Sequence, residues 1–457
     1  MKIITKGILS IIGAALIHIL IGSYHTWGRL ISYYLSYLHY HNNPSITLAE
    51  STLFTPFVRL IYTSSLALGV VASSKLGLYI PCFISILFLI LSHSILSLST
   101  NINLIIMSFA MFGIGIGLPY MSVILNAWCY FPKRKGLIIG IILTSFGSSG
   151  FILKLIADEV INPNGLSVNK ETGYYDEVIA NNILSYLKLL IGIIVLIGIT
   201  SLIMIKPFNS AEAKEEASEE YEELVESNEF MNASTMSYFG GNENIKIGFK
   251  SKPFYQLLFM FLLSNLFNAL HISNKITFGE KVYYNHSFIT NNIIIWNIAN
   301  GCFRMFWGIM LDRFKFKDIY LFSIFMQILT FSTFYFISKI KTLFFLYNLF
   351  IALFNSCSVV VIPYSFYKIF GIKNGGIYFG ISQFISAIGS FGIPFLIDYL
   401  NGPSIHYLIL FLGNSVTKML ACIILCFIEE KRFDYGNKDK KIKLRLSSSI
   451  NSSNSNI

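Results

Sequence analysis

The sequence predicts an all-α integral membrane protein with twelve transmembrane helices in two six-helix bundles. Three observations support this prediction. The chain of 457 residues is 54% hydrophobic and only 13% charged, whereas soluble proteins carry about 25% charged residues. Its apolar stretches reach about 20 residues, the length that a helix needs to cross a bilayer. An acidic segment near the middle separates the first six stretches from the last six.

The twelve apolar stretches define spans 1 to 12 in chain order. Soluble helices are apolar along one stripe, and these stretches are apolar on all sides. The first stretch is too long for the apolar core of a signal peptide and no small-residue cleavage site follows it, so we expect it to remain as span 1. The predicted limits are 7–35, 52–73, 77–98, 103–130, 135–157, 183–206, 253–275, 288–311, 318–338, 343–366, 375–399 and 404–428.

Charge divides the chain into four predicted segments. These are an N-terminal bundle (1–206), an acidic linker (207–252) with ten of the 24 acidic residues, a C-terminal bundle (253–430) and a basic, Ser/Asn-rich tail (431–457). Lys and Arg are concentrated in the loops on one side, which the positive-inside rule places in the cytosol with both termini and the linker. The plasma membrane is the default location and an organelle membrane the alternative.

Charged residues inside the spans are cations. Every Asp and Glu lies in a connection or at the end of a span, whereas Arg29, Arg59, Lys154 and Arg304 lie within spans. A buried cation in a bilayer is costly and usually faces the protein interior or a watery cavity. We therefore expect a small anionic substrate as the partner, and no nucleic acid, because the net charge of +10 comes from loops.

No motif indicates an enzyme, a cofactor or a metal. The six cysteines are not spaced as metal ligands, and the sequence has no phosphate-binding loop and no pair of carboxylates within a span. We expect a protein that is not an enzyme. The sequence does not predict an oligomeric state, and it is compatible with a monomer.

An internal repeat relates the two halves. Span 5 contains Gly136 and Gly140, and span 11 contains Gly376 and Gly380 with the same spacing. The end of span 8 carries the series Gly308, Asp312, Arg313, Lys315, Lys317. This series resembles the loop motif Gly-x3-Asp-Arg-x-Gly-x-Lys of the major facilitator superfamily, whose layout is two six-span halves joined by a long linker. The resemblance implies that Asp312 and Arg313 pair at helix ends and hold one face shut, with Gly308 allowing close helix contact.

The first half carries a degraded copy of the same motif. Gly69 is followed by Ser74, Lys75 and Gly77, with Ser in place of Asp and one extra residue in the spacing. We expect this copy to contribute less to gating.

Spans 4 and 5 resemble one branch of that superfamily. Gly113, Gly117 and Tyr120, then Trp128, Arg134, Gly136 and Gly140, are similar to the pattern of the oxalate/formate antiporters and monocarboxylate transporters. The resemblance implies that the four glycines permit close, sliding helix contacts during gating.

Arg304 is the leading candidate for substrate binding. In both relatives an Arg at this place in span 8 contacts the substrate carboxylate, and a guanidinium offers a planar fork that matches a carboxylate. Asn300 stands where monocarboxylate transporters carry an Asp. Arg29 follows Trp27 and Gly28 and looks like the counterpart of a functionally important Lys of that branch.

Further candidates follow from their positions. Arg59 and Lys154 lie on spans that face the cavity or the interdomain seam in this fold, and Tyr24 and Tyr120 are expected to line the cavity. His25 is the candidate proton carrier, because histidine can titrate near neutral pH. Two other lysines, Lys188 and Lys418, lie on peripheral spans of the fold and are expected to be snorkelling or structural.

The sequence therefore predicts a secondary transporter. It would move a small organic anion, first of all a monocarboxylate, by alternating access, as an exchanger or a proton symporter. Two alternatives remain open. One is a transporter of the same fold for a sugar, an amino acid or a vitamin acid such as pantothenate, and the other is a membrane sensor that does not transport.

Overall fold

The protein is described by a computed structural model that covers residues 2–41, 54–169, 172–210, 212, 245–283, 286–401 and 407–433. Within these ranges, the side chains of residues 29, 54–55, 267–277, 280–281, 286–287, 290, 293 and 390–401 are left out of the description. All regular elements in the described ranges are helices.

The helices follow the predicted order. Span 1 is interrupted and consists of helix Ile3–Ile21, the 3-10 turn Gly22–Thr26 and helix Trp27–His41. Spans 2 to 6 are Phe54–Leu76, Tyr79–Leu98, Ile102–Tyr130, Lys135–Ile161 and Glu177–Met204. The short helix Ile245–Phe249 precedes span 7. Spans 7 to 12 are Lys252–Val282, His286–Leu311, Phe316–Ile337, Lys341–Phe370, Ile372–Asn401 and Tyr407–Cys426.

The described helices confirm an α-helical membrane protein. Nine of them are long and apolar enough to cross a membrane, namely those of spans 1 to 6, 9, 10 and 12. Spans 7, 8 and 11 are helices of 31, 26 and 30 residues at their predicted places. That these three helices cross the membrane, and therefore the count of twelve spans, stays a prediction. Most of the linker and tail lies outside the described residues, so the domain boundaries also stay predictions.

Local sequence explains where several helices begin and end. The side chain of Asn101 caps span 4 by accepting a hydrogen bond from the backbone N–H of Asn103. Pro253 occupies the first turn of span 7, where a missing N–H costs nothing. Span 10 ends at Gly371, whose φ of 84° turns the chain directly into span 11.

Two helix pairs make the main contacts between the halves of the molecule. Span 5 packs along span 8, and span 2 packs along span 11. We call these the span 5–8 seam and the span 2–11 seam. Within the first half, span 4 packs against spans 2 and 3, and within the second half span 10 packs against spans 8, 9 and 11.

The glycines of span 4 serve contacts within the first half. A Cβ atom added to Gly117 would lie 2.2 Å from the carbonyl oxygen of Tyr62, and one added to Gly113 would lie 2.7 Å from Cβ of Ile61. Both neighbours belong to span 2. Gly113 and Gly117 therefore bring spans 2 and 4 together rather than the two halves, and their predicted part in gating stays a prediction.

Candidate functional site

The span 5–8 seam is a contact between helix backbones. A Cβ atom on Gly308 would lie 2.3 Å from the carbonyl oxygen of Gly136, and one on Gly140 would lie 3.0 Å from the carbonyl oxygen of Arg304. Glycine at these positions lets the two helices approach without intervening side chains. Gly136, Gly140 and Gly308 thus lie where the sequence analysis expected a close contact.

Asp312 binds the start of span 5 from across this seam. Its carboxylate accepts hydrogen bonds from the backbone N–H groups of Gly136 (2.7 Å) and Leu137 (2.8 Å). Free N–H groups and the helix dipole make a helix N-terminus favourable for an anion. Burial raises the pKa of Asp312 above its usual value, while the hydrogen bonds from Leu137 and Gly136 and the charge of Arg134 oppose this shift.

Arg313 does not take the role that the motif implied. Its side chain is exposed, and no ion pair between Asp312 and Arg313 occurs in the described part of the chain. The expected pairing of these two residues is therefore corrected, because the acid reaches backbone donors of span 5 instead. The part of Arg313 in gating stays a prediction.

Aromatic residues make further contacts near Asp312, at the end of the molecule where span 5 begins. Nζ of Lys135 donates to the hydroxyl of Tyr367 and lies 4.3 Å from the centre of its ring. Trp128 donates to the carbonyl oxygen of Lys135 (2.7 Å), and its ring lies 4.8 Å from that of Tyr367. The turn between spans 4 and 5 is thereby attached to the end of span 10. We call this end of the molecule, where the loop cations of residues 133–135 and 313–317 lie, the basic end.

Arg304 reaches from span 8 onto span 5 deeper in the seam. It is 6% exposed. Its Nη1 donates to the carbonyl oxygen of Leu143 (2.7 Å) and its Nη2 to Oδ1 of Asn300 (3.0 Å). Gly147 makes room for it, since an added Cβ would lie 2.9 Å from Cζ of Arg304. Nε of Arg304 is buried without a hydrogen-bond partner, and no carboxylate of the described residues pairs with this cation.

A ring cluster from spans 1, 4 and 5 lies next to this guanidinium. The rings of His18 and Tyr120 are 5.2 Å apart, those of His18 and Phe146 6.2 Å, and those of Tyr120 and Phe146 5.3 Å. His18 is fully buried. Its Nδ1 is 2.9 Å from the carbonyl oxygen of Ala14, and its Nε2 has no hydrogen-bond partner.

The interruption of span 1 adds two more rings. His25 packs on Phe146 with ring centres 4.7 Å apart, and Tyr24 lies between His25 and Tyr62, with ring centres 5.5 Å from each. Gly150 provides the space, because a Cβ there would lie 2.6 Å from Cβ of His25. His25 is exposed and Tyr24 is half-buried, so these rings present a polar surface beside the buried cluster.

The structure therefore brings most of the predicted binding residues together. Tyr120 and His25 both pack on the ring of Phe146, and the next residue along span 5, Gly147, lies against Arg304. Arg59 lies about one turn before Tyr62 on span 2, and the ring of Tyr62 packs on Tyr24. The side chain of Arg29 falls outside the description, and its role stays a prediction.

Lys154 is placed differently from the other candidates. Its Nζ lies 3.9 Å from a carboxylate oxygen of Asp158, one turn further along span 5. Its charge therefore has a partner on the same helix, unlike that of Arg304 among the described ion pairs. Its predicted contact with substrate stays untested.

Sequence reasoning missed three members of the site, His18, Tyr62 and Phe146. His18 is the one with a signal in the sequence, since it is a polar residue inside an otherwise apolar stretch. Lys418 was expected to be snorkelling or structural. It is fully buried, and its Nζ donates to the carbonyl oxygen of Ser264 at 2.9 Å, which is compatible with the structural role that was its other expectation.

The solved structures that this chain resembles are those of transporters. Residues 254–452 match the family model of the Major Facilitator Superfamily. A proton:xylose symporter solved with 6-bromo-6-deoxy-D-glucose superimposes with a TM-score of 0.66 at 12% identity, covering 94% of this chain and 98% of the symporter. The protein has the major facilitator fold. The E. coli fucose symporter FucP in its outward conformation gives a TM-score of 0.65 at 12% identity over 93% of this chain and all of FucP.

One curated relative matches at the sequence level. It is Apicoplast pyruvate carrier 1 of Toxoplasma gondii, which is 27% identical over 199 residues. The match covers 34% of this chain and 35% of the carrier, so the chain spans about a third of the length of this relative. The superimposed structures confirm the predicted fold, and the apolar helices confirm the expectation of a multi-pass membrane protein. The branch within the superfamily stays a prediction.

Proposed function

We propose that this major facilitator protein is a secondary transporter of a small organic anion, most specifically a monocarboxylate. The observation that carries the proposal is Arg304, a buried cation at the interface between the halves that has no carboxylate partner among the described residues. Removing a charge from water costs several kcal/mol unless an opposite charge or sufficient hydrogen bonds replace the water. A bound carboxylate would supply both.

The position of Arg304 also suits alternating access. Because Nη1 already contacts Leu143 of span 5 across the seam, an anion that binds the guanidinium acts directly on the contact between the halves. The pyruvate carrier resemblance points to the same class of substrate. A neutral sugar would leave the buried charge of Arg304 without a counterpart, and the sugar symporters share the fold alone.

Coupling and orientation are parts of the proposal. Since no acid of the described spans lies beside Arg304, the transporter works either by exchange of anions or by symport with a proton, for which His25 is the candidate carrier. Arg29 and Arg59 are proposed as further cations along the anion path. The basic end is proposed to face the cytosol, following the positive-inside rule.

Uptake into vesicles that contain the pure protein tests this function. Labelled pyruvate, lactate, formate, oxalate, pantothenate and glucose are offered with and without a pH gradient. Carboxylate uptake that follows the gradient indicates proton symport, and uptake that needs only an internal anion indicates exchange. Uptake of glucose without any anion contradicts the proposal.

Arg304→Gln tests the site itself. Loss of a charge-assisted hydrogen bond costs about 1.5–3 kcal/mol, so carboxylate uptake should fall roughly 10- to 100-fold, with Arg304→Lys intermediate because the planar fork is lost. Lys188→Gln is the control, since it removes the same charge from an exposed position on span 6. Unchanged uptake of every accepted anion by folded Arg304→Gln would show that the site is wrong.

A further inference from the structure

We infer that Lys135 is the first binding site for the anionic substrate at the basic end, and that Tyr367 covers this site while the basic end is closed. The inference rests on the proposed function and deepens it, because it divides anion binding between two cations. Lys135 attracts the anion by charge when the basic end opens, and Arg304 then selects a carboxylate by the planar shape of its guanidinium.

Lys135 and Tyr367 face each other between the two seams. Lys135 begins span 5 and Tyr367 lies near the end of span 10, so the contact joins the two halves. On one side, the next residue, Gly136, forms the span 5–8 seam. On the other side lies Trp128, three residues after Leu125, whose side chain lies against span 11 in the span 2–11 seam. The pair therefore occupies the place where the halves part when the basic end opens.

Lys135 is buried, although the cations just before it are exposed. It is 7% exposed, whereas Lys133 and Arg134 face the solvent. Nζ of Lys135 donates a hydrogen bond to the hydroxyl of Tyr367 and lies 4.3 Å from the centre of its ring, within the range of a cation–π contact. A hydroxyl and a ring face carry only partial charges, so Tyr367 covers the ammonium without neutralising it.

Opening of the basic end takes both of these contacts away from Lys135. Trp128 holds the backbone of Lys135 by donating to its carbonyl oxygen at 2.7 Å, so Lys135 stays with the first half while Tyr367 leaves with the second. An ammonium is a compact point charge with three rotatable donors, and it binds small anions without a strict shape. An anion that binds Lys135 only in the open form shifts the equilibrium toward that form.

Lys135 and Arg304 lie one behind the other along span 5. Nη1 of Arg304 donates to the carbonyl oxygen of Leu143, which is eight residues after Lys135 in the same helix. This separation corresponds to about 12 Å along the helix axis. Lys135 lies nearer the basic end and Arg304 deeper between the halves, so an anion that enters from the basic end meets the point charge before the planar fork.

A simple closing contact between Lys135 and Tyr367 predicts a different response to substitution. If Lys135 only held Tyr367, every variant that weakens the pair would open the basic end, and none would change the response to an anion. In our inference the two residues differ, because Lys135 binds the anion and Tyr367 only covers the site. Lys135→Gln separates the two roles, since its amide can still donate to the hydroxyl of Tyr367 but carries no charge.

The test measures the distance between spin labels at residues 75 and 315, both exposed at the basic end, while pyruvate is added to the purified protein. The protein carries Arg304→Gln, so that the deeper cation does not contribute. Pyruvate should increase the open fraction, and adding Lys135→Gln should abolish this response. Lys135→Arg, which keeps a charge, should retain the response, and Lys133→Gln is the control because it removes a charge from an exposed position of the same turn.

Tyr367→Phe gives the opposite result to Lys135→Gln. It removes the hydroxyl but keeps the ring and the cation, so the closed form loses one hydrogen bond. The open fraction without pyruvate should rise, and the pyruvate concentration for half of the response should fall about threefold, because the binding-competent form is more populated.

Three results would overturn the inference. They are no opening of the Arg304→Gln protein by pyruvate, an unchanged response after Lys135→Gln, and a higher half-maximal concentration in Tyr367→Phe. The first and third of these need no change of Lys135, so the inference is tested even if Lys135→Gln fails to fold. Carboxylate uptake by the wild type together with any of these results overturns this inference alone, whereas absence of any carboxylate uptake overturns the proposed function.

Discussion

The two seams that join the halves have equivalent glycines but different contacts. In the span 5–8 seam, Gly308 faces the backbone of Gly136, with 2.3 Å between an added Cβ and a carbonyl oxygen. In the span 2–11 seam, a Cβ on Gly376 would meet the ends of two side chains, Leu125 of span 4 at 2.8 Å and Val70 of span 2 at 3.3 Å, whereas one on Gly380 would lie 2.6 Å from the backbone nitrogen of Ala67. The contact at Gly308 has no freedom to adapt, whereas the contact at Gly376 can relax by a change of rotamer.

The basic ends of the two seams also differ. Asp312 binds the start of span 5, but Ser74, which takes the place of the acid in the degraded motif, returns its hydroxyl to the carbonyl oxygen of Val71 in its own helix (2.8 Å).

Peripheral segments contact span 11 and span 10 at the basic end. The hydroxyl of Tyr378 in span 11 donates to the carbonyl oxygen of Ile245, in the short helix before span 7, at 2.8 Å. The backbone N–H of Phe433 donates to the carbonyl oxygen of Ile369, in span 10, also at 2.8 Å. The comparison teaches that the span 5–8 seam carries a closing contact at its basic end, whereas Ser74 makes no such contact across the span 2–11 seam among the described hydrogen bonds.

Gly308→Ala should cause the largest change in uptake and in the separation of the halves. Its Cβ would press on the backbone of span 5, and overpacking costs about 1–3 kcal/mol, which should open the basic end and lower uptake roughly tenfold or more. Gly376→Ala is the control, expected to stay within about threefold because Leu125 can move. Spin labels at residues 75 and 315, both exposed, report the separation of the halves. Equal effects of the two variants would contradict the difference between the seams.

Asp312→Ala should have an intermediate effect. Two N–H groups at the start of span 5 lose their acceptor, which should weaken the closed form by about 1 kcal/mol. Ser74→Ala should change little, because the Ser74 hydroxyl bonds only within its own helix in the described contacts. The same spin-label distance measures both variants. A larger shift for Ser74→Ala than for Asp312→Ala would show that the degraded motif is the stronger contact.

Lowering the pH should have the smallest effect. It should favour the form in which the basic end of the span 5–8 seam is closed. Burial raises the pKa of Asp312 in the closed seam, against the opposing hydrogen bonds, and the carboxyl returns to water when the seam opens. The closed form therefore binds the proton more readily, and its advantage is lost as pH rises through the raised pKa. The closed fraction should increase as pH falls from 7 toward about 4. Asp312→Asn should remove this dependence, and a closed fraction that falls on acidification would contradict it.

Much of the site could be predicted from local sequence. Arg304 was predicted as a binding residue because a cation inside an apolar stretch is costly and usually faces the protein interior or a watery cavity. Gly136 and Gly308 were predicted to allow close helix contact because small residues let two helices approach. Gly113 and Gly117 show the limit of this reasoning. A glycine in a span predicts a close neighbour without saying which, and here the neighbour is span 2 within the same half.

The sequence by itself determined the order and approximate limits of the helices and the class of the fold, because apolar length, proline and glycine act locally. The tertiary structure alone decided which polar atoms have partners. Lys154 is paired with Asp158, while Nε of Arg304 and Nε2 of His18 are left unpaired. That outcome depends on how spans 1, 4, 5 and 8 meet, and residues so distant along the chain carry no local signal of one another.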